Sequence, residues 1–294
     1  MTGTVRASWL TTLALIALLP SCALPLVSEV GRDEIDLARF PAGTERLACE
    51  TEDAVTLRGV RVPAADARGV VLHLLPRDMS LTDGLRGLGG FRETLEALAA
   101  EGFASVVFDY RGVGASAGEV DATALEADAR AMWRALDSRP DATAGTVILR
   151  GCSLGSLAAS SILAEARPDA VVLAAPVDVD SLKGNALARE LGGFLGAVAS
   201  PFFRAPDLPT LSESLERFAG PTLVLLGEDD ELLPPEDWPE ALREPGPERR
   251  VATFPLDHES LAIRFYGFEY GEFSGRVAPS LLPAELEFLR ALPR

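Results

Sequence analysis

Apolar residues in this chain fall into short blocks separated by polar, glycine- and proline-rich punctuation. Gly69 to Leu75 (GVVLHLL) is a near-continuous apolar run, the pattern of a strand buried on both faces. Phe103 to Tyr110, the run from Thr146, Ala170 to Ala175, Thr222 to Leu226 and Arg250 to Phe254 read as further strands. Between them the apolar period lengthens to that of a helix. Phe91 to Ala100 stops at Gly102, a good residue just past a helix end, and Thr123 to Ser138 is ended by Pro140. The run after Ser153 is ended by Pro168, and Pro279 to Leu292 predicts a closing helix. Ahead of all these, Glu45 to Glu50 and Val55 to Ala64 are extended and predict a leading hairpin. Strand and helix alternate at short intervals without internal repeats. The expected class is α/β, a mostly parallel central sheet covered by helices on both faces.

Thr146 to Ala166 (TVILRGCSLGSLAASSILAEA) carries the sharpest local signal. A β-branched strand runs into Gly151-Cys152-Ser153-Leu154-Gly155, and a helical run follows directly. This is G-x-S-x-G in the strand–turn–helix setting that the motif requires, with Ser153 at the corner. A side chain at Gly151 or Gly155 would crowd the turn and the helix packed on it. The same pattern recurs at Gly114-Ala115-Ser116-Ala117-Gly118, but no helix starts there until Thr123, where Thr123-x-x-Glu126 has the spacing of a capping box. Ser116 therefore belongs to a loop, and Ser153 is the candidate nucleophile.

A parallel sheet places its ligand site beyond the carboxyl ends of the strands. The polar residues at those ends are His73, Asp109, Ser153, Asp178, Asp230 and His258. A serine hydroxyl needs a neighbouring base, and the chain holds 2 histidines. Chain order on this architecture runs serine, acid, histidine, which selects His258, in a loop after the final strand. The acid should follow a strand between them. Glu228, Asp229, Asp230 and Glu231 are candidates, with Asp178 after the preceding strand as an alternative. An oxyanion needs two backbone N–H donors. Leu154, after the nucleophile, should supply one, and the loop after Gly69–Leu75, near Leu74 and Leu75, the other; Leu75 is the expected residue.

Composition narrows the field. Of the 294 residues, 48% are hydrophobic and 24% charged, which suits one large globular unit. A net charge of −17 argues against nucleic acid as a partner and makes a polyanionic substrate a poor fit. No His/Cys cluster has metal-ligand spacing, and no cofactor is implied. Cys49 and Cys152 do not make a disulfide framework; Cys152 reads as a small buried filler.

The first thirty or so residues differ in kind. Arg6 precedes an apolar run from Trp9 to Leu19, followed by Leu19-Pro20-Ser21-Cys22. That is the order of a secretory signal, and Leu-Pro-Ser-Cys resembles the lipobox of bacterial lipoproteins. The resemblance implies a signal peptide over 1–21, lipid on Cys22, export to a bacterial cell envelope and a membrane contact through that lipid. Ser28 to Ala42 reads as a polar tether, so that 22–43 lie between anchor and domain, and the domain runs from 44 to 294. An uncleaved anchor is the alternative, although Pro20 and Pro25 interrupt a stretch barely long enough to span.

From about residue 55 onward the chain resembles the α/β-hydrolase superfamily, particularly its serine esterase, thioesterase and serine-aminopeptidase-like branch. Phe108-Asp109-Tyr110-Arg111-Gly112-Val113-Gly114-Ala115-Ser116 is close to that branch's D-x-R-G-x-G-x-S loop. Gly227-Glu228-Asp229-Asp230-Glu231-Leu232-Leu233-Pro234 is similar to its G-x-x-D-x-x-V-P acid loop, which places the acid at Asp230. The resemblance implies a Ser153, Asp230, His258 triad acting on an ester or thioester substrate. Two positions depart from the branch. His73-Leu74 replaces its usual His-Gly, and Asp257 stands where glycine often precedes the histidine.

The branch inserts a cap after the sixth strand, here expected over about 179–215. Leu182, Leu187, Leu191, Phe194, Leu195, Val198, Phe202 and Phe203 fit a mobile apolar lid or an ordinary packing helix equally. Phe265, Tyr266, Phe268, Tyr270 and Phe273 fit either a pocket wall or core. An apolar cap favours a hydrophobic acyl chain over a charged peptide. A serine peptidase of the aminopeptidase-like branch and a non-catalytic envelope binding protein are the alternatives.

Overall fold

The computed structural model describes residues 34–77, 79–82, 89–139, 145–179, 208–266 and 281–293. The expected signal peptide and Cys22, most of the expected cap, and Phe268, Tyr270 and Phe273 lie outside these residues.

Eight strands form one sheet: β1 (Glu45–Glu50), β2 (Thr56–Val62), β3 (Gly69–Leu74), β4 (Phe103–Phe108), β5 (Thr146–Cys152), β6 (Ala170–Ala174), β7 (Thr222–Gly227) and β8 (Arg249–Phe254). Their spatial order is β1-β2-β4-β3-β5-β6-β7-β8. The leading hairpin β1–β2 is antiparallel, and β2 also runs antiparallel to β4; every later pair is parallel. The apolar runs explain the order. All six residues of β3, β4 and β7 and all five of β6 are buried, so they occupy the middle, whereas β1 alternates toward solvent at the edge.

The helices are α1 (Gly89–Ala100), α2 (Leu125–Asp137), α3 (Leu154–Ala166), α4 (Leu211–Arg217), the single turn α5 (Glu240–Arg243), α6 (His258–Phe265) and α7 (Leu282–Arg290). Alternation along β5 shows which face each covers. A Cβ on Gly151 would stand 2.4 Å from the Gly155 carbonyl oxygen of α3, while the next residue back, Arg150, bonds Glu285 of α7. Thus α3, with α2 and α4 against it, covers one face, and α1, α6 and α7 meet on the other.

Several expectations change in detail. The second helix begins at Leu125 rather than Thr123: Asp121 accepts the Thr123 N–H at 2.9 Å and its hydroxyl at 2.7 Å, leading through a short 3-10 turn. Thr123 is therefore a donor, and its capping box does not form. The closing helix starts at Leu282. The stretch read as a polar tether is docked from Ile35 onward: Ile35 and Phe40 are buried, Arg46 donates to the Ile35 carbonyl and Arg39 to that of Thr82. Two apolar side chains in a polar run gain more from burial than from staying in water. At the far end of the expected cap, α4 is a packing helix. Thr210 and Glu213 cap it reciprocally, and Leu211 and Leu215 are buried, with Ser214 bonded to the Ser160 carbonyl of α3.

Candidate active site

β5 ends at Cys152 and α3 starts at Leu154, leaving one residue to turn the corner. Ser153 turns it at φ 50°, ψ −117°, a backbone conformation that costs a non-glycine residue about 1–3 kcal/mol. The surroundings impose it. The Ser153 N–H donates to the Ala174 carbonyl at 3.1 Å, and Ser156 returns both its N–H (2.9 Å) and its hydroxyl (2.6 Å) to the Ser153 carbonyl. The same Ser156 oxygen accepts the Val177 N–H at 3.0 Å, tying the corner to the chain after β6. A Cβ on Gly155 would lie 1.9 Å from the Leu74 carbonyl oxygen, so only glycine lets α3 approach β3 this closely.

His258 meets the serine from the other side of the sheet order. Its Nε2 is 2.8 Å from Ser153 Oγ, and its Nδ1 is 2.9 Å from Asp230 Oδ2. The carboxylate fixes Nδ1 as the protonated nitrogen, leaving Nε2 to accept from the serine. Asp230 is held in turn, its Oδ1 accepting the N–H groups of Leu232 (2.8 Å) and Leu233 (3.1 Å). Asp230 and His258 are buried and Ser153 is half-buried. Burial of this kind strengthens the chain of hydrogen bonds.

His258 opens α6 rather than sitting in a loop, because Asp257 caps the helix, accepting the Ser260 N–H at 2.8 Å and its hydroxyl at 3.0 Å. That accounts for the residue standing where the resembled branch has glycine. Asp178 is elsewhere, accepting the Leu211 N–H at the start of α4. Glu231 accepts the His258 backbone N–H at 3.3 Å, Glu228 bonds Thr253, and Asp229 is exposed. Of the four acidic neighbours, Asp230 meets the imidazole, at Nδ1.

Leu154 N–H is the first of α3, with no partner inside its own helix, and Leu75 follows the end of β3 beside it. Neither N–H has a protein acceptor among the described residues. Both flank Ser153 through the Gly155–Leu74 contact.

Ser116 is buried, accepting the Arg58 N–H at 2.9 Å and donating to the Asp109 carbonyl at 2.7 Å. Its neighbour Asp109 joins two loops at the strand ends. Its carboxylate accepts Leu81 N–H (2.7 Å) after β3 and Ala115 N–H (3.1 Å) after β4, and burial pushes its pKa up to about 7. His73 lies on the opposite face of β3, edge-to-face with Phe91. Burial, and then the nearby Arg150 charge, hold it well below its usual pKa, so it is neutral. Cys152 is a free, fully buried thiol whose pKa is raised by burial, and burial pushes the half-buried Cys49 up to about 12. Neither behaves as a reactive thiolate.

Two features were not singled out from the sequence: Ser156 and Arg150. Arg150 is the largest fully buried side chain among the described residues. It bonds Glu285 twice (2.7 and 3.0 Å), donates to the Phe265 carbonyl at 2.7 Å and lies 3.5 Å over the Phe265 ring. Phe265 and Tyr266 are thus core around a buried cation, and Tyr266 donates its hydroxyl to the Leu74 carbonyl at 3.2 Å. A charged residue inside an apolar strand was the signal available, since such a charge must be paired.

Residues 86–206 match the family model described as serine aminopeptidase, S33, a span that includes Ser153 but neither Asp230 nor His258. The chain is 29% identical over 200 residues to two uncharacterized proteins from strains of Mycobacterium tuberculosis, covering 66% of this chain and 64% of each relative's length. It superposes on the Pyrococcus furiosus esterase Pf2001 with TM-score 0.63 at 18% identity, over 90% of this chain and 96% of the esterase. A Xanthomonas campestris protein described as an a/b serine hydrolase without lid gives TM-score 0.52 at 19% identity, over 78% and 92%. These likenesses show the fold, which is that of the α/β hydrolases.

Proposed function

We propose that this chain, an α/β hydrolase by fold, is a serine hydrolase that cleaves a carboxylic ester or thioester with a hydrophobic acyl group. One observation carries the reading: the unbroken hydrogen-bonded line Ser153 Oγ–His258 Nε2 and His258 Nδ1–Asp230 Oδ2, at 2.8 and 2.9 Å. In this reading Ser153 attacks the carbonyl carbon as His258 takes its proton at Nε2. Asp230 holds the ring and stabilises its charged form. The negative charge that develops on the carbonyl oxygen is received by the N–H groups of Leu154 and Leu75. His258 then returns the proton to the leaving group, and an acyl-enzyme on Ser153 remains. Water, activated by the same imidazole, releases the acid and restores the serine.

The family model's description favours a second reading, a peptidase that removes an amino-terminal residue. Ester and amide substrates with the same acyl part separate the two. The same reading of the amino terminus proposes lipid on Cys22 and residence in a bacterial envelope; radiolabelled palmitate incorporated by the full chain and lost in Cys22→Ala tests it.

The decisive test is labelling with a fluorescent fluorophosphonate, alongside hydrolysis of p-nitrophenyl esters of increasing chain length. Labelling and turnover that vanish in Ser153→Ala support the proposal. A folded wild-type chain that neither labels nor turns over any ester overturns it.

A further inference from the structure

We infer that Arg150 is a positioning residue, gripping the far end of the helix that carries His258 and so setting where the imidazole stands against Ser153. The inference rests on the Ser153–His258 pair being the reacting one.

The geometry is a lever. α6 begins with His258 and ends with Phe265, and Arg150 Nη2 holds the Phe265 carbonyl at 2.7 Å. Eight residues of helix make a stiff rod about 12 Å long. Fixing its carboxyl end fixes the height of the imidazole at its amino end. Arg150 lies on β5, the strand that delivers Ser153, so base and nucleophile are referenced to one piece of backbone. Asp230 controls how the ring is turned, through its bond to Nδ1.

The rest of the cluster extends the grip. Glu285 of α7 takes two guanidinium nitrogens and prevents Arg150 from swinging. Arg150 Nη1 comes within 3.4 Å of His73 Nδ1 on β3. Tyr266, the residue after α6, bonds the Leu74 carbonyl immediately before the Leu75 N–H. Base, nucleophile and the β3 donor are therefore braced from one buried point.

Stability alone does not call for a charge here. A fully buried ion pair is often matched or bettered by apolar residues of similar volume, so its presence is weak evidence of a stabilising role. What the guanidinium offers beyond an apolar side chain is a directed bond to one carbonyl.

The test compares wild type with Arg150→Met/Glu285→Met, which removes both charges together, and with Glu285→Gln and Arg150→Lys. Ester kcat and KM are read beside the low-field proton resonance of the His258 Nδ1–H, which needs no turnover. The double variant is expected to melt within a few degrees of wild type, with kcat lowered 10- to 100-fold, KM within twofold and the low-field resonance displaced. Misplacement by about 1 Å has effects of that size. Arg150→Lys should recover part of kcat. Wild-type kcat and an unmoved resonance in the folded double variant overturn the inference. If the double variant does not fold, Glu285→Gln decides by the same two readouts. A wild-type chain without turnover refutes the proposed function instead, and the resonance still reports on the grip.

Discussion

His258 Nε2 lies 2.8 Å from Ser153 Oγ although 105 positions of chain separate them. The contact exists because β5 and β8, which Ser153 and His258 follow, run parallel within one sheet and so have their carboxyl ends at the same end of it. Asp230 follows β7, and the hydrogen bond from His258 to that carboxylate fixes the tautomer that makes Nε2 an acceptor.

Replacing that carboxylate by an amide should therefore be far worse than its size suggests. Asp230→Asn is expected to lower kcat roughly a thousandfold or more, with KM little changed, because the amide favours the wrong tautomer. Asp178→Asn, whose carboxylate serves the Leu211 N–H instead, should leave kcat within about threefold. Steady-state kinetics on one ester reads both.

Ser116 matches the same short pattern as Ser153 yet serves the backbone. Ser116→Ala should retain full fluorophosphonate labelling. It leaves the Arg58 N–H and Asp109 carbonyl short of a partner, so urea unfolding should show a loss of about 1–3 kcal/mol.

Gly155→Ala should be among the most damaging single-methyl changes in the chain. The added carbon would meet backbone oxygens of Leu74 and Leu75 at 1.9 and 2.9 Å, and neither can swing away as a side chain could. Relief requires α3 to back away from β3, which separates Leu75 N–H from the corner. Loss of soluble protein, or of several kcal/mol with activity in any folded fraction, is the expected outcome.

Two buried groups pull the pH dependence of stability in opposite directions. Asp109 has its folded pKa raised from 3.8 to about 7, so its stabilisation is present in acid and lost as pH rises toward 7. His73 has its folded pKa depressed below 6.5, so the unfolded chain binds the extra proton, and stability is lost as pH falls below 6.5. The two offset each other between about pH 4 and 6.5. Asp109→Asn removes one side of the balance. Its melting temperature should fall more steeply than that of wild type on acidification through this window, and calorimetry at stepped pH checks it.

The parts of the site that were legible in the sequence are local or ordered. Gly151-Cys152-Ser153-Leu154-Gly155 is a corner written in adjacent residues, and its close contact with Leu74 follows from the glycines. His258 followed from chain order. Its helix did not, although Asp257 and Ser260 stand at the spacing of a cap; the proline and acidic residues around it read as a loop. Arg150 stood out as a charge in an apolar strand, but its partners were not legible. Its partners Phe265 and Glu285 lie 115 and 135 positions away, and no periodicity links a lone cation in an apolar strand to a carboxylate on a closing helix. The docked Ile35 and Phe40 escaped because a few apolar side chains cannot announce, in a polar run, that a surface awaits them.

The left-handed backbone at Ser153 makes the proposed nucleophile a store of recoverable stability. Ser153→Ala and Ser153→Gly both lack the hydroxyl and its bond to His258, so they differ in how they bear φ 50° and in chain entropy. Glycine ordinarily loses about 0.5–1 kcal/mol to alanine through chain entropy. Here it should at least match alanine, because the corner releases about 1–3 kcal/mol when the Cβ is gone. The melting temperatures of these two variants would then measure what this fold spends to hold one hydroxyl out of its sheet.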